Sequence, residues 1–334
     1  MRLRTHPYER EALILGNDTV SRWSFVEAPR LIAVIERAHH PSSFDPCLLD
    51  GSPDGATFAV TLPVAWEQVP DDQTPDCIIE FRRWSDFQVV DRLVIPESDI
   101  GLTSLAFSPN GRWMIAADYR IQLIDRSTKC RVDLANGHEW TTAVAFAPTS
   151  TRCAAVCTGQ AGGHLALFAV NHGKLDVLYP ALDRRGIAWP EPAAMDLADA
   201  SGTITFSRDG ALVAFYLTSQ WPAEKLGWQG EILLYHVETG RRLWHVPIEG
   251  TRGDAHDAFC SDICFTPNGR YLVCGSTQGE VHIRDVADGH LVQRINVGRS
   301  TALPAIALHA SDSTICAVVD ESLMCFPLPD NYTS

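Results

Sequence analysis

Gly101 to Asp125 reads GLTSLAFSPNGRWMIAADYRIQLID. Leu105 and Phe107 belong to a short apolar strand that runs into a tight turn, Ser108-Pro109-Asn110-Gly111. A second apolar strand follows from Trp113 to Ala117, then a polar break, then a third strand through Ile121 and Leu123 that ends in Asp125. The same statement returns at Asp262 to Asp285 as DICFTPNGRYLVCGSTQGEVHIRD. A unit restated along a chain marks a repeat architecture, in which each unit buries its apolar face on the next.

The turn serves as an anchor for the other repeats. It recurs as SPDG from Ser52, SPNG from Ser108, APTS from Ala147, SRDG from Ser207, TPNG from Thr266 and a worn HASD from His309. The steps from Pro109 to Pro148 and from Pro267 to Ala310 fit a four-stranded unit of about 40 residues. The longer steps require insertions. Each anchor precedes an apolar strand (RWMIAAD, ALVAFYL, RYLVCGS), then a strand with apolar residues at alternate positions (RIQLID, EILLYHV, EVHIRD), then in most units a fourth (KCRVDLA, RRLWHVPI, HLVQRINV). Short strands rich in β-branched and aromatic residues, punctuated by Gly, Pro, Asn and Asp, indicate an all-β chain. No segment shows a helical period.

Ahead of the first anchor, EALILGNDTVSRWSFVEAPRLIAVIERAHH aligns on RYLVCGSTQGEVHIRDVADGHLVQRINV. Ala12–Leu15, Val20–Phe25 and Leu31–Glu36 are therefore expected as the second, third and fourth strands of one more unit. The last unit, Ala302 to Leu328, supplies first to third strands. Ends that are incomplete in complementary ways suit a ring closed at a shared seam. The expected count is seven blades, with six as the alternative.

These features resemble a WD40-repeat β-propeller over nearly the whole chain. The best unit runs from Gly137-His138 through Trp140 to Pro148, with the family's Gly-His pair ahead of the first strand. The Trp-Asp pair at the end of the third strand is worn. It reads Trp23-Ser24, Arg82-Arg83, Ile124-Asp125, Phe168-Ala169, Tyr235-His236, Arg284-Asp285 and Phe326-Pro327. Only Asp125 and Asp285 keep the acid, and only Trp23 the tryptophan. The resemblance implies an all-β, single-domain propeller of four-stranded antiparallel blades over residues 1–334. Residues 1–45 would complete the ring, 46–328 form six repeats and 329–334 a tail. His138 would be a structural histidine.

Composition narrows the function classes. The 334 residues are 46% hydrophobic and 20% charged, enough for a large core. A net charge of −14 and a pI near 5.2 argue against nucleic acid, whose binders cluster Lys and Arg, and against anionic membranes. The early arginines precede an apolar run too short for a secretion signal, and no stretch of about 18 apolar residues suggests a membrane helix. The ten cysteines lie mostly in apolar strands and read as reduced, buried thiols of a cytoplasmic protein.

The propeller resemblance also places the long insertions. Loops between second and third strands share a face with loops that join a fourth strand to the next first strand. Pro63–Cys77 and Ser219–Gly230 are of the former kind, Ala181–Ser201 and Gly250–Ser261 of the latter. That face carries five of the nine tryptophans: Trp66, Trp140, Trp189, Trp221 and Trp228. It also carries acids, among them Asp71, Asp72, Asp254 and Asp257. Tryptophan is enriched at binding hot spots, although each could instead cap its own loop. An aromatic, acidic face suits a basic protein or peptide segment.

Chemistry is harder to find. Asp254-Ala255-His256-Asp257 and His39-His40 lack the spacing and partners of a metal site. Gly159–His164 reads as a tight turn, and the pairs Cys153/Cys157 and Cys260/Cys264 as buried core. No nucleophile elbow or phosphate loop occurs. The expectation is a non-catalytic, cofactor-free scaffold that binds a protein or peptide through its loop face and is monomeric outside its complex. The alternative is a propeller enzyme or small-ligand binder using the mouth of the central channel.

Overall fold

The computed structural model describes residues 2–16, 19–36, 48–62, 74–96, 101–134, 140–149, 151–158, 164–171, 173–177, 201–220, 228–248, 262–276, 280–297, 305–309, 314–319 and 322–327. They form 27 strands. Blade 1 holds β1 (Arg2–Thr5), β2 (Glu11–Leu15), β3 (Thr19–Ser24) and β4 (Arg30–Glu36). Blade 2 holds β5 (Leu49–Gly51), β6 (Thr57–Thr61), β7 (Cys77–Arg83) and β8 (Val89–Ile95). Blade 3 holds β9 (Ser104–Phe107), β10 (Trp113–Ala117), β11 (Ile121–Asp125) and β12 (Arg131–Leu134). Blade 4 holds β13 (Trp140–Phe146), β14 (Arg152–Thr158), β15 (His164–Asn171) and β16 (Lys174–Val177). Blade 5 holds β17 (Ser201–Phe206), β18 (Leu212–Gln220), β19 (Trp228–His236) and β20 (Arg242–Ile248). Blade 6 holds β21 (Ile263–Phe265), β22 (Tyr271–Ser276), β23 (Glu280–Asp285) and β24 (Leu291–Asn296). Blade 7 holds β25 (Ala305–His309), β26 (Thr314–Val319) and β27 (Ser322–Pro327).

Six sheets thus have four strands and one has three, each a meander of antiparallel neighbours in chain order. The first strands touch in a circuit: β1 on β5, β5 on β9, β9 on β13, β13 on β17, β17 on β21, β21 on β25, and β25 back on β1. The chain is a β-propeller, with each blade running outward from the axis.

The core is divided by the blades. Seven apolar clusters lie one between each pair of neighbours. A middle strand is buried on both faces, so it reads as a nearly continuous apolar run. In blade 3, Met114, Ala116 and Ile124 pack toward blade 2. Ile115, Ala117, Ile121 and Leu123 pack toward blade 4. Alternation of side chains along a strand sends neighbours to opposite faces.

The repeated turn has a physical basis. In SPNG, the Ser108 hydroxyl donates to Asn110 Oδ1 at 2.8 Å and accepts from the Trp113 N–H at 2.8 Å. Asn110 Oδ1 also accepts from the Arg112 N–H at 3.0 Å. Ser52–Asp54, Ser207–Asp209 and Thr266–Asn268 repeat the first bond. A hydroxyl residue, a spacer, an Asp or Asn and a glycine therefore close the same hairpin four times.

Two expectations change. Arg2–Thr5 is a strand, so residues 2–36 make a complete blade by themselves. The N- and C-terminal strands do close the ring, but by face packing and not within one sheet. Leu3, Ile14 and Phe25 of blade 1 pack on Cys316, Val318 and Leu323 of blade 7. RLRT has a single aliphatic residue and no legible period. It is a strand because β2 offers it a ladder, Arg2 opposite Leu15 through Thr5 opposite Ala12. In blade 5, β18 and β19 run to Gln220 and from Trp228, so Ser219, Gln220 and Trp228–Gly230 are paired strand residues instead of loop. Among the described residues, no helix is long and apolar enough to cross a membrane.

Candidate functional site

The axis and the loop-bearing face are the two places where blades converge. At the axis, Arg4 on β1, Ser104 on β9, Thr142 on β13, Thr203 on β17 and Asp262 before β21 help line a cavity of about 60 Å³. Arg4 Nε donates to Asp50 Oδ1 on β5 at 3.0 Å, and Arg4 Nη1 lies 3.6 Å from Asp262 Oδ2. Asp50 Oδ2 accepts the Phe107 N–H of β9 at 2.8 Å. Arg4 and the two carboxylates thus tie blades 1, 2, 3 and 6 together around the channel.

Electrostatics follow from enclosure. Burial drives the Asp50 carboxyl above its usual range, against the opposing pull of Arg4. Burial also lowers Arg4, but Asp262 and Asp50 outweigh it and hold the guanidinium pKa above its ordinary value. Two acids from different blades do converge, yet they converge on an arginine whose single positive charge offsets one of their two negative charges. The cavity admits a few water molecules, whose bulk volume is about 30 Å³ each. Pockets for organic ligands run to about 300–1,000 Å³.

On the loop-bearing face, the short connection of blade 3 is fully described. The Asp118 carbonyl accepts the Thr141 N–H at 2.9 Å. The Asp118 carboxylate accepts the Arg120 N–H at 2.6 Å, and Arg120 Nη2 donates to the Pro96 carbonyl at 3.2 Å. The Thr103 hydroxyl donates to the carbonyls of Ala117 and Thr141. These bonds hold the start of β13, where Trp140 stands opposite Thr158. Trp140, grouped by sequence with the loops, is in fact the first strand residue. Trp228 opens β19 in the next blade, opposite Gln220. Both tryptophans enter at the loop-bearing end of adjacent blades.

Trp66, Asp71, Asp72, Trp189, Trp221, Asp254 and Asp257 lie outside the described residues, as do His39-His40, Cys260, His138, His256 and residues 159–163. Cys153 and Cys157 are core, buried among Ala155, Ala166 and Phe168. Burial pushes the Cys153 thiol pKa far up, which suits an inert packing residue. Among the described residues, no three His, Cys, Asp or Glu side chains gather to hold a metal ion. The axial residues Arg4, Asp50 and Asp262 escaped the sequence reading. Asp50 and Asp262 sit just before recognisable turns, but Arg4 has no signal while β1 goes unseen.

Comparisons with known proteins agree with this geometry. Residues 93–125 match the WD domain, G-beta repeat. Residues 226–316, from β19 into β26, match the anaphase-promoting complex subunit 4 WD40 domain. No curated protein matches the chain. Among solved structures, hydrazine synthase from Kuenenia stuttgartiensis superposes with a TM-score of 0.68 at 12% identity, covering 98% of this chain and 95% of that one. At that identity the likeness concerns architecture alone. One repeat matched at blade 3, a second match across blades 5 to 7, and a ring of this topology together support a WD40-repeat propeller family for this chain.

Proposed function

We propose that the protein is a non-catalytic scaffold that holds a protein or peptide segment on its loop-bearing face. The supporting observation is the entry of Trp140 and Trp228 at the same end of adjacent blades, on strands fixed by apolar cores. WD40 propellers generally bind protein partners, and one matched family is named for a subunit of a complex. Trp66, Trp189 and Trp221, with Asp71, Asp72, Asp254 and Asp257, would extend the surface. A net charge of −14 favours a basic partner over nucleic acid or an anionic membrane. Buried thiols such as Cys153 and Cys274 fit a reducing compartment, and we assign the protein to the cytoplasm.

The convergence of Asp50 and Asp262 near the axis is the observation that would favour a small-ligand site. The pairing of both acids with Arg4 and a cavity of about 60 Å³ weigh against it. The test is a paired affinity capture from native lysate with wild type and a Trp221→Ala, Trp228→Ala double variant. The variant should melt like wild type and lose the partners that wild type retains. Identical partners with both proteins would place the binding surface elsewhere.

A further inference from the structure

Among the described residues, the outermost strand of each blade is paired on one side only, and an open edge is a template for pairing with another chain. Five of the six fourth strands interrupt that template. β8 carries Asp91 and Arg92, β12 carries Asp133, β16 carries Asp176, β20 carries His245 and Pro247, and β24 carries Arg294. β27 has no charge, but its exposed residues are only Ser322 and Pro327. β4 differs from all of them. Between Arg30 and Glu36 it has five apolar residues in a row, Leu31-Ile32-Ala33-Val34-Ile35.

The difference is sharpest at one position. β4, β8, β20 and β24 share a register shift near their start, which makes Ile32, Val90, Leu243 and Val292 the extra residues. Two residues further on stand Arg92, His245 and Arg294 in the other blades, and Val34 in β4. Arg92 reaches back to a buried carboxylate, its Nη2 lying 2.8 Å from Glu80 Oε1. Val34 is 47% exposed, Leu31 46% and Ile32 36%. Tyr8 at 67% and Val26 at 62%, in the turns of the same blade, add to the exposed apolar surface.

We propose that β4 is a self-association surface, and that its occupant is β4 of a second copy of this chain. The argument is charge complementarity in one register. Antiparallel pairing about a twofold axis at Ala33 sets Arg30 opposite the second copy's Glu36, and Glu36 opposite the second copy's Arg30. It sets Leu31 against Ile35, Ile32 against Val34, and Ala33 against itself. Shifting the centre by one residue either way loses both ion pairs. A twofold interface must be complementary to itself, and this stretch is. The dimer joins two outer rims, so it leaves the loop-bearing faces of both copies open and stands apart from the proposed scaffold role.

A pairing of one short strand per copy lies at the low end of interface sizes, so the dimer is concentration-dependent. Sedimentation equilibrium of the full chain across a wide concentration range tests it. Wild type should shift from monomer toward dimer. Val34→Lys should remain monomeric with an unchanged melting curve. Arg30→Glu puts like charges opposite each other twice and should weaken dimerisation about ten-fold. Adding Glu36→Arg to Arg30→Glu should restore wild-type dimerisation. A wild type that stays monomeric at the highest concentration, a dimer indifferent to Val34→Lys, or a double reversal that fails to restore pairing would each overturn the proposal.

Discussion

At the scale of single residues, Asp125 is one of the two acids kept in the worn Trp-Asp signature, and its surroundings show what the acid does. Asp125 Oδ1 accepts from the Ser127 hydroxyl at 2.6 Å and the Ser127 N–H at 2.9 Å. Its Oδ2 accepts from Arg112 Nε at 3.2 Å and Nη2 at 3.1 Å. The Ser127 bond and, with it, Arg112 hold the carboxyl at a pKa of about 2, below the ordinary 3.8. A depressed folded pKa means stability that is present above pH 3.8 and lost as pH falls toward 2. Asp125→Asn should therefore cost about 2 kcal/mol near neutral pH, and the deficit should shrink in melts taken toward pH 2. A deficit that holds constant down to pH 2 would show that the charge is not what stabilises. Glu80 is a second case. Buried in β7, it accepts from Arg82 Nε at 2.8 Å and Arg92 Nε at 3.0 Å. Glu80→Ala would remove the carboxylate from the partly buried Arg82 while leaving Arg92 in solvent, and should lower stability by about 1–2 kcal/mol in denaturant titrations. The sequence IIEFRR reveals the residues but not this burial, because which charges end up beneath a neighbouring blade depends on packing.

At the scale of elements, the four-residue turn is the best-encoded object in the chain. Its glycine has positive φ at all four well-kept anchors, which strains any other residue. The neighbourhoods nevertheless differ. A Cβ on Gly269 would meet nothing within 4 Å, whereas one on Gly55 would fall 2.4 Å from His6 Nε2. His6 is held in place, because its Nδ1 accepts the Glu9 N–H at 2.8 Å and its Nε2 bonds the Gly55 carbonyl at 3.0 Å. Gly269→Ala should cost about 1 kcal/mol from backbone strain alone. Gly55→Ala should cost clearly more, and equal losses in thermal melts would refute the role given to His6. The strands after each turn were legible because both periodicity and turn chemistry point to them. β1 was not, since four residues with one aliphatic side chain carry no pattern. The extension of β18 and β19 was hidden too: Trp228-Gln229-Gly230 has loop-like composition, and only the opposing strand makes it a ladder.

At the scale of the whole molecule, stability is distributed around a ring and so depends on closure. Blade 1 supplies one side of two of the seven cores, against blade 7 and against blade 2. Deleting residues 1–36 would expose Cys316, Val318 and Leu323 on one flank and Phe58, Val60 and Trp84 on the other. The truncated chain should lose its cooperative melt; an unchanged transition would mean that the ring does not need its first blade.

The sequence by itself determined the all-β class, the repeat length, the turns and the family, because these rest on local chemistry restated many times. It also indicated which residues would be core, since strands buried on both faces have to be apolar throughout. Tertiary structure alone decided how the ends meet, with blade 1 complete and packed face to face against blade 7. It alone brought Arg4, Asp50 and Asp262 to the axis from positions far apart in the chain. It also left β4 as an edge on the rim with no charge between Arg30 and Glu36. Local pattern specifies a strand, but which strands become neighbours, and which edge stays open, is settled by the free energy of closing the ring.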